Sequence, residues 1–216
     1  MMSESKLLEL CNDIPLKNVH FESAECYGIG RHLRVYGYYP QRLPLFVSTD
    51  HGPSQRDEPT LLELKDKAPV MFYHSKRLVL EWRKKSAKPC YVMTSPFVFY
   101  RRKNNISKVD NAQGTLAFPV HSTDLIESGY NVESYIKSLL SLPSEFQPVS
   151  ACLYYLDVKK GRHKIFQKYG IPVFTAGHIY DKKFTERFYD ILKNFRYATS
   201  NHLGSYALYA VEMGIP

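Results

Sequence analysis

The chain has 216 residues, 44% of them apolar and 23% charged, with 29 Lys and Arg against 21 Asp and Glu for a formal net charge of +8. That is enough chain for one large or two small globular domains with a true core. No run approaches the ~20 apolar residues of a membrane span, and Met1–Leu10, polar with a short amphipathic pattern, lacks the apolar segment of a secretion signal.

The basic surplus points to an anionic partner: a nucleotide, a polyanionic glycan, an anionic lipid surface or nucleic acid. The cations are dispersed, however. The densest runs are Arg83-Lys84-Lys85 and Arg101-Arg102-Lys103. There is no RNA-binding signature and no zinc-finger spacing, so nucleic acid is the least expected partner. Seventeen Tyr and 12 Phe suit an aromatic core or a half-wet cleft. Cys11, Cys26, Cys90 and Cys152 are far apart with no CxxC, which reads as free thiols in a reducing, cytoplasmic setting.

In chain order, the expected elements alternate. A strand over Leu43–Ser48 is followed by a helix over Thr60–Lys67, a strand over Val70–Tyr73, a helix over Ser75–Lys85 and a strand over Pro89–Thr94. The polar stretch Arg101–Gln113 reads as a linker between two halves, residues 1–108 and 109–216. Strands then fall at Thr115–Pro119, Val149–Tyr155, Ile171–Thr175 and Arg196–Thr199. Between them lie a helix capped by Asn131 and stopped by Pro143, a short helix over Arg162–Tyr169 ended by Gly170, and a helix over Lys182–Asn194 with Phe184, Phe188, Ile191 and Leu192 on one face. A last helix occupies Tyr206–Met213. Continuous apolar strands alternating with helices predict an α/β fold with Rossmann-like parallel sheets covered on both faces.

Ligands in such folds bind at the C-terminal ends of the strands. Four of the eight histidines fall there: His51, His121, His178 and His202. They are open to three readings: metal ligands, donors to phosphate or sugar hydroxyls, or a general acid or base. With no HExxH and no HxH pair, metal is the least expected. The sharpest signal is Ser200-Asn201-His202-Leu203-Gly204-Ser205 ahead of the last helix. A helix N-terminus offers free N–H groups and partial positive charge to a phosphate, and Gly204 allows close approach.

The run Gly204-Ser205-x-x-x-Tyr209-Ala210-x-x-x-Gly214-Ile215-Pro216 resembles the donor-binding motif of GT-B glycosyltransferases and the related sugar-nucleotide 2-epimerases. More broadly, Gly114–Pro216 resembles glycosyltransferase-like proteins of bacterial capsule and surface-polysaccharide loci, through GTLAFPVHST, FTAGHIYDKKF and YATSNHLGSYALYAVEMGIP. In the first half only STDHG is similar, to the His-Gly loops of acceptor-side domains. The resemblance implies a GT-B-like two-half arrangement with an acceptor-side first half, and a donor-binding second half that stops before its next strand. It implies a nucleotide-sugar donor, and His178, Ser200, Asn201, His202, Gly204, Ser205 and Tyr209 on the donor side. Pro119 with His121, and Ser200 with Ser205, resemble the phosphate-binding arrangement of bacterial sialyltransferase-like enzymes. The chain departs from the GT-B pattern at Tyr209, where many members place a ribose-binding Glu.

With no Asp-x-Asp, transfer is expected to be metal-independent, with the helix N-terminus at Gly204-Ser205 stabilising the leaving group. Asp50 or His51 is the expected base, and His121 the second candidate. The implied acceptor is a glycan or lipid-linked glycan, with peripheral contact at an anionic membrane. The open sheet edge invites pairing with another copy. The alternatives are a non-catalytic remnant that binds sugar nucleotide or polyanion, an epimerase, and, on charge alone, a nucleic-acid-binding module.

Overall fold

The computed structural model describes residues 2–17, 21–53, 56–122 and 129–216, with only the backbone of Glu22. It is an α/β protein with two all-parallel sheets flanked by helices. The helices α1 (Glu4–Leu10) and α2 (Ile29–Tyr36) come first. The small sheet follows, with β1 (Ser48–Thr49), α3 (Leu61–Lys65), β2 (Met71–Tyr73), α4 (Lys76–Lys85), β3 (Cys90–Val92) and α5 (Pro96–Lys103). The larger sheet then runs through β4 (Thr115–Phe118), α6 (Val132–Leu140), β5 (Val149–Cys152), α7 (Tyr155–Lys159), α8 (Arg162–Lys168), β6 (Val173–Phe174), α9 (Phe184–Leu192), β7 (Tyr197–Ser200) and α10 (Ser205–Glu212).

All seven expected strands are present, each in or overlapping its expected stretch. The small sheet has the order β1-β2-β3, and the larger one β6-β5-β4-β7. In the larger sheet the chain steps outward from β4 to β6, then returns to β4's other side for β7. The β4/β7 boundary is therefore a topological switch point, where diverging loops open a crevice. Central β4 is buried along its length, and β7, at the edge, is half-buried throughout.

Local chemistry explains the helix ends. Asn131 Oδ1 accepts from Ser134 N–H at 2.9 Å as the N-cap of α6. Thr60 and Glu63 form a reciprocal capping box at α3. Two expectations are corrected. Arg101, Arg102 and Lys103 are not linker but the last turn of α5, because Pro96 starts the helix and Phe97 anchors it in the core. Tyr155 leaves the expected strand to begin α7.

Packing ties the chain's first part to the larger sheet. On one face, α2 and α5 contribute Ile29 and Phe97 to a core with Leu116, Phe118, Phe188, Tyr189, Leu192 and Tyr209. On the other, α1 adds Leu7 to Ile136, Ala151, Val158 and Phe166. A third, smaller cluster around Trp82, Tyr73 and Met71 holds the small sheet to α4. The physical cause is that a four-stranded parallel sheet must be covered on both faces. Arg101 makes a two-pronged pair with Glu212 at 2.6 and 2.7 Å, with Arg102 alongside at 3.0 Å, so α5 is also fastened to the end of α10. Among the described residues no helix is long and apolar enough to cross a membrane.

One buried histidine makes the fold acid-sensitive. His32 on α2 is 4% exposed, its Nε2 has no hydrogen-bond partner among the described residues, and its ring lies 4.7 Å from that of Tyr100. Burial, helped by the charges of Arg31 and Lys103, lowers it from 6.5 to about 4. The unfolded chain therefore binds this proton first as pH falls, and stability is lost between about 6.5 and 4. At full titration this loss amounts to roughly 3 kcal/mol. Urea unfolding from pH 7 to 4 should show it, and His32→Leu should flatten that part of the curve; a slope unchanged in the variant would assign the acid sensitivity to other groups.

Candidate functional site

A cleft of about 400 Å³ opens where the C-terminal ends of β4, β5 and β7 face the loop after β1. Its floor is apolar, built from Phe97, Phe118, Phe184 and Phe188, and its rim is polar, with His51, His121, His202, Ser205 and Tyr154. This is the kind of concave, mainly apolar site with a few polar groups that binds small molecules.

Sequence reasoning placed four histidines at strand ends, and three line this cleft. His121 follows β4. Its Nδ1 lies 3.0 Å from the carbonyl oxygen of Ser122, and its ring packs on Tyr154 with centroids 4.2 Å apart. A carbonyl only accepts, so Nδ1 carries the proton in neutral imidazole and Nε2 keeps its lone pair, the form a base needs. His51 stands across the cleft, edge-on to Tyr27 at 6.2 Å. His202 lies in the loop after β7.

His178 lies elsewhere. It is 5% exposed between Tyr155 and Tyr180, its backbone N–H donates to Leu10 and its Nδ1 accepts from Tyr180 N–H. The end of α1 closes over that part of the strand edge, so His178 is not among the cleft's lining.

Asp50 is also set apart. It is buried, with Oδ1 3.3 Å from Arg56 and Oδ2 unpartnered among the described residues, and it does not line the cleft. Burial pushes its carboxyl up, and the Arg56 charge opposes this. His74 braces the same loop: Nε2 lies 3.2 Å from the Asp50 carbonyl and Nδ1 3.3 Å from that of Met93, spanning the ends of β1 and β3.

The loop before α10 divides its labour. Ser200 Oγ lies 2.6 Å from the carbonyls of both Phe118 and His202, and it accepts from His202 N–H at 3.1 Å. Asn201 Oδ1 accepts from Val120 N–H at 2.7 Å, tying the loop after β7 to the one after β4. Both build the loop and line a neighbouring groove along β7's outer edge rather than the cleft. Gly204 caps α10 in extended backbone and lines the cleft beside Ser205. Ser205 Oγ donates to the Pro53 carbonyl at 3.1 Å, so the His51 loop rests on the start of α10. Gly52 makes this approach feasible, since a Cβ there would lie 2.6 Å from Ser205 Oγ. Tyr209 is buried, its hydroxyl 2.8 Å from Ser95 Oγ and its ring stacked on Phe97 at 4.6 Å and 1°.

Several contributors had no sequence signal. Tyr27, brought in by a turn with left-handed backbone, reaches the cleft, and burial pushes its hydroxyl up to about 12, so it remains a donor at neutral pH. Asp157, 3% exposed on α7, accepts from Ser122 N–H at 3.5 Å and pairs with Arg162 at 3.1 Å, steadying the residue that orients His121. An Asp at the start of a short helix is common enough to pass as a surface residue. Thr123, next in this loop, lies outside the described residues. Among the described residues no group of three or more His, Cys, Asp or Glu side chains is arranged to hold a metal ion. No family model, curated protein or solved structure matches this chain.

Proposed function

We propose that the cleft binds a nucleotide sugar and transfers the sugar to a hydroxyl of a surface glycan, without a metal, as the GT-B-like resemblance implies. The observation that carries this reading is the placing of His121 and His51 on opposite sides of one aromatic-floored cleft, at the switch point of a parallel sheet and beside the N-terminus of α10. The acceptor hydroxyl gives its proton to Nε2 of His121 while its oxygen bonds to the anomeric carbon. The bond from that carbon to the phosphate oxygen breaks, and the electron pair leaves on the nucleotide. The first-turn N–H groups of α10 offset the charge that grows there, and Ser205 Oγ holds the His51 loop beside them. Between the two histidines, the fixed tautomer of His121 favours it as the base. Four free cysteines accord with a cytoplasmic site for this reaction.

A second reading, binding without turnover, has its own support. Tyr209, which replaces the ribose-binding Glu of the resemblance, has its hydroxyl engaged with Ser95 Oγ, and Ser205 Oγ donates to the Pro53 carbonyl.

The deciding experiment is a thermal-shift panel of UDP, GDP, CMP and their sugar conjugates, with and without EDTA, on the wild-type chain and Ser205→Ala. Each shift is taken against that protein's own ligand-free midpoint. At 100 times Kd a bound ligand adds about 2.7 kcal/mol, a readily seen shift. One responsive nucleotide, indifferent to EDTA and weakened in the variant, is expected; flat curves throughout would end the donor-site reading. Donor binding with no turnover on any acceptor would leave the second reading standing.

A further inference from the structure

A separate cavity of about 420 Å³ lies behind the cleft wall. Tyr27 and Phe184 face the cleft, while Gly28, next to Tyr27, and Lys182, two residues before Phe184, face this second cavity. The two segments are pressed together: Thr185 Oγ1 donates to the Tyr27 carbonyl at 2.7 Å, and a Cβ on Gly28, whose φ is +74°, would lie 2.9 Å from the Lys182 carbonyl oxygen. The cavities are therefore neighbours with a shared wall, not one space.

Among the described residues five cations line the second cavity, Lys17, Arg31, Arg34, Arg42 and Lys182, against one carboxylate, Glu25. Two of the five are already matched. Buried Arg34 pairs with Glu25 at 2.6 Å, and Arg31 with Glu186 at 2.6 Å. Lys17, Arg42 and Lys182 have no acidic partner among the described residues. Three like charges on the lining of one recess, with no carboxylate paired to them, favour an anion there over an empty space.

The cations are also preset. Arg34 donates from Nε and Nη2 to the Leu43 carbonyl at 3.1 and 3.0 Å, and Gln41 Nε2 donates to the Arg31 carbonyl at 3.2 Å. Both neighbours of Arg42 are thus pinned to α2. Lys182 lies in a turn closed by Asp181 Oδ1 accepting from Lys183 N–H at 2.8 Å. Fixing the backbone beforehand lowers the ordering cost of binding. Cations scattered over a surface need no ligand; three unmatched ones on the lining of one recess, whose other two arginines are already paired, do call for one.

We propose that this cavity is an anion site for a diphosphate-bearing ligand, held by Lys17, Arg42 and Lys182. A single carboxylate would leave two of these cations unmatched, whereas a diphosphate brings several charges to one place. The recess suits a terminal or free diphosphate rather than the flat surface of a bilayer or a nucleic-acid strand. This inference stands without the transferase reading.

The test is calorimetric titration of the full chain with inorganic pyrophosphate in EDTA, for wild type, Arg42→Gln/Lys182→Gln and Ser205→Ala. Wild type should bind, with affinity falling as KCl is raised. The double variant should lose tenfold or more, a larger loss than any seen in Ser205→Ala. Arg42 and Lys182 are exposed, so the variant is expected to fold, and its circular dichroism and melting point check this. Should it fail to fold, Lys17→Gln with the same readout replaces it. Absence of wild-type binding would overturn the proposal. So would binding lost in Ser205→Ala but kept in the double variant, which would move the anion to the cleft. Phosphatidylglycerol vesicles are a further arm: sedimentation with vesicles but no pyrophosphate binding also overturns it.

Discussion

Replacing His121 by Gln should lower transfer about 10²- to 10⁴-fold, the usual worth of a general base, while leaving nucleotide affinity nearly unchanged. Gln fills a similar space and can still donate to the Ser122 carbonyl, but it cannot take up a proton. The ring that it replaces has Nδ1 committed at 3.0 Å to that carbonyl and a face packed on Tyr154, so the variant removes the basic nitrogen with little else. Loss in kcat rather than KM would mark the proton step. Turnover within a few-fold of wild type would reject His121. His51→Gln would then be the variant to compare, because His51 lines the cleft on the side opposite His121.

The second large effect is on stability. Phe97→Ala should cost about 3–5 kcal/mol. Its ring is 4% exposed, stacks on Tyr209 at 4.6 Å, and meets Phe188 and Tyr189 edge-on or tilted at 5.6 and 6.2 Å. Truncation removes the apolar contact through which α5 joins α9 and α10, and it leaves a cavity beside the cleft floor. For a chain of this length each kcal/mol moves the midpoint by about 2–4 °C, so a fall near 10 °C is expected. Leu62→Ala, on a side chain of a residue 83% exposed, should stay within about 0.5 kcal/mol. Equal midpoints for the two variants would show that α5 contributes little to holding the larger sheet's helices.

How far the fold was legible depended on whether the governing interaction was local. The strands were legible because burial on both faces leaves an uninterrupted apolar run, as in Thr115–Phe118. The cap at Asn131 was legible because its hydrogen bond reaches only three residues ahead. The helix Pro96–Lys103 was half hidden. Its last turn is a basic run like any surface segment, and only its pairing with Glu212, more than 100 residues on, makes it part of the core layer.

The candidate site divides in the same way. His121, His51, His202, Gly204 and Ser205 could be read from their places after strands, since parallel α/β chains put loops at that edge by topology alone. Asp50 and His178 occupy the same kind of place, yet one sits in an ion pair with Arg56 and the other beneath the end of α1. Leu10, which covers His178, lies 168 positions away, and Arg56, though only six positions from Asp50, is set against it by burial and not by any helix or strand period. Tyr27, Ser95 and Asp157 were silent for the same reason. Strand–helix alternation, the helix ends and the edge at which ligands are met follow from period, capping and strand direction, which are local properties. Which histidines share a cleft, and which three cations line one recess without an acidic partner, emerge only on folding, because the cavity walls are built from residues far apart in the chain.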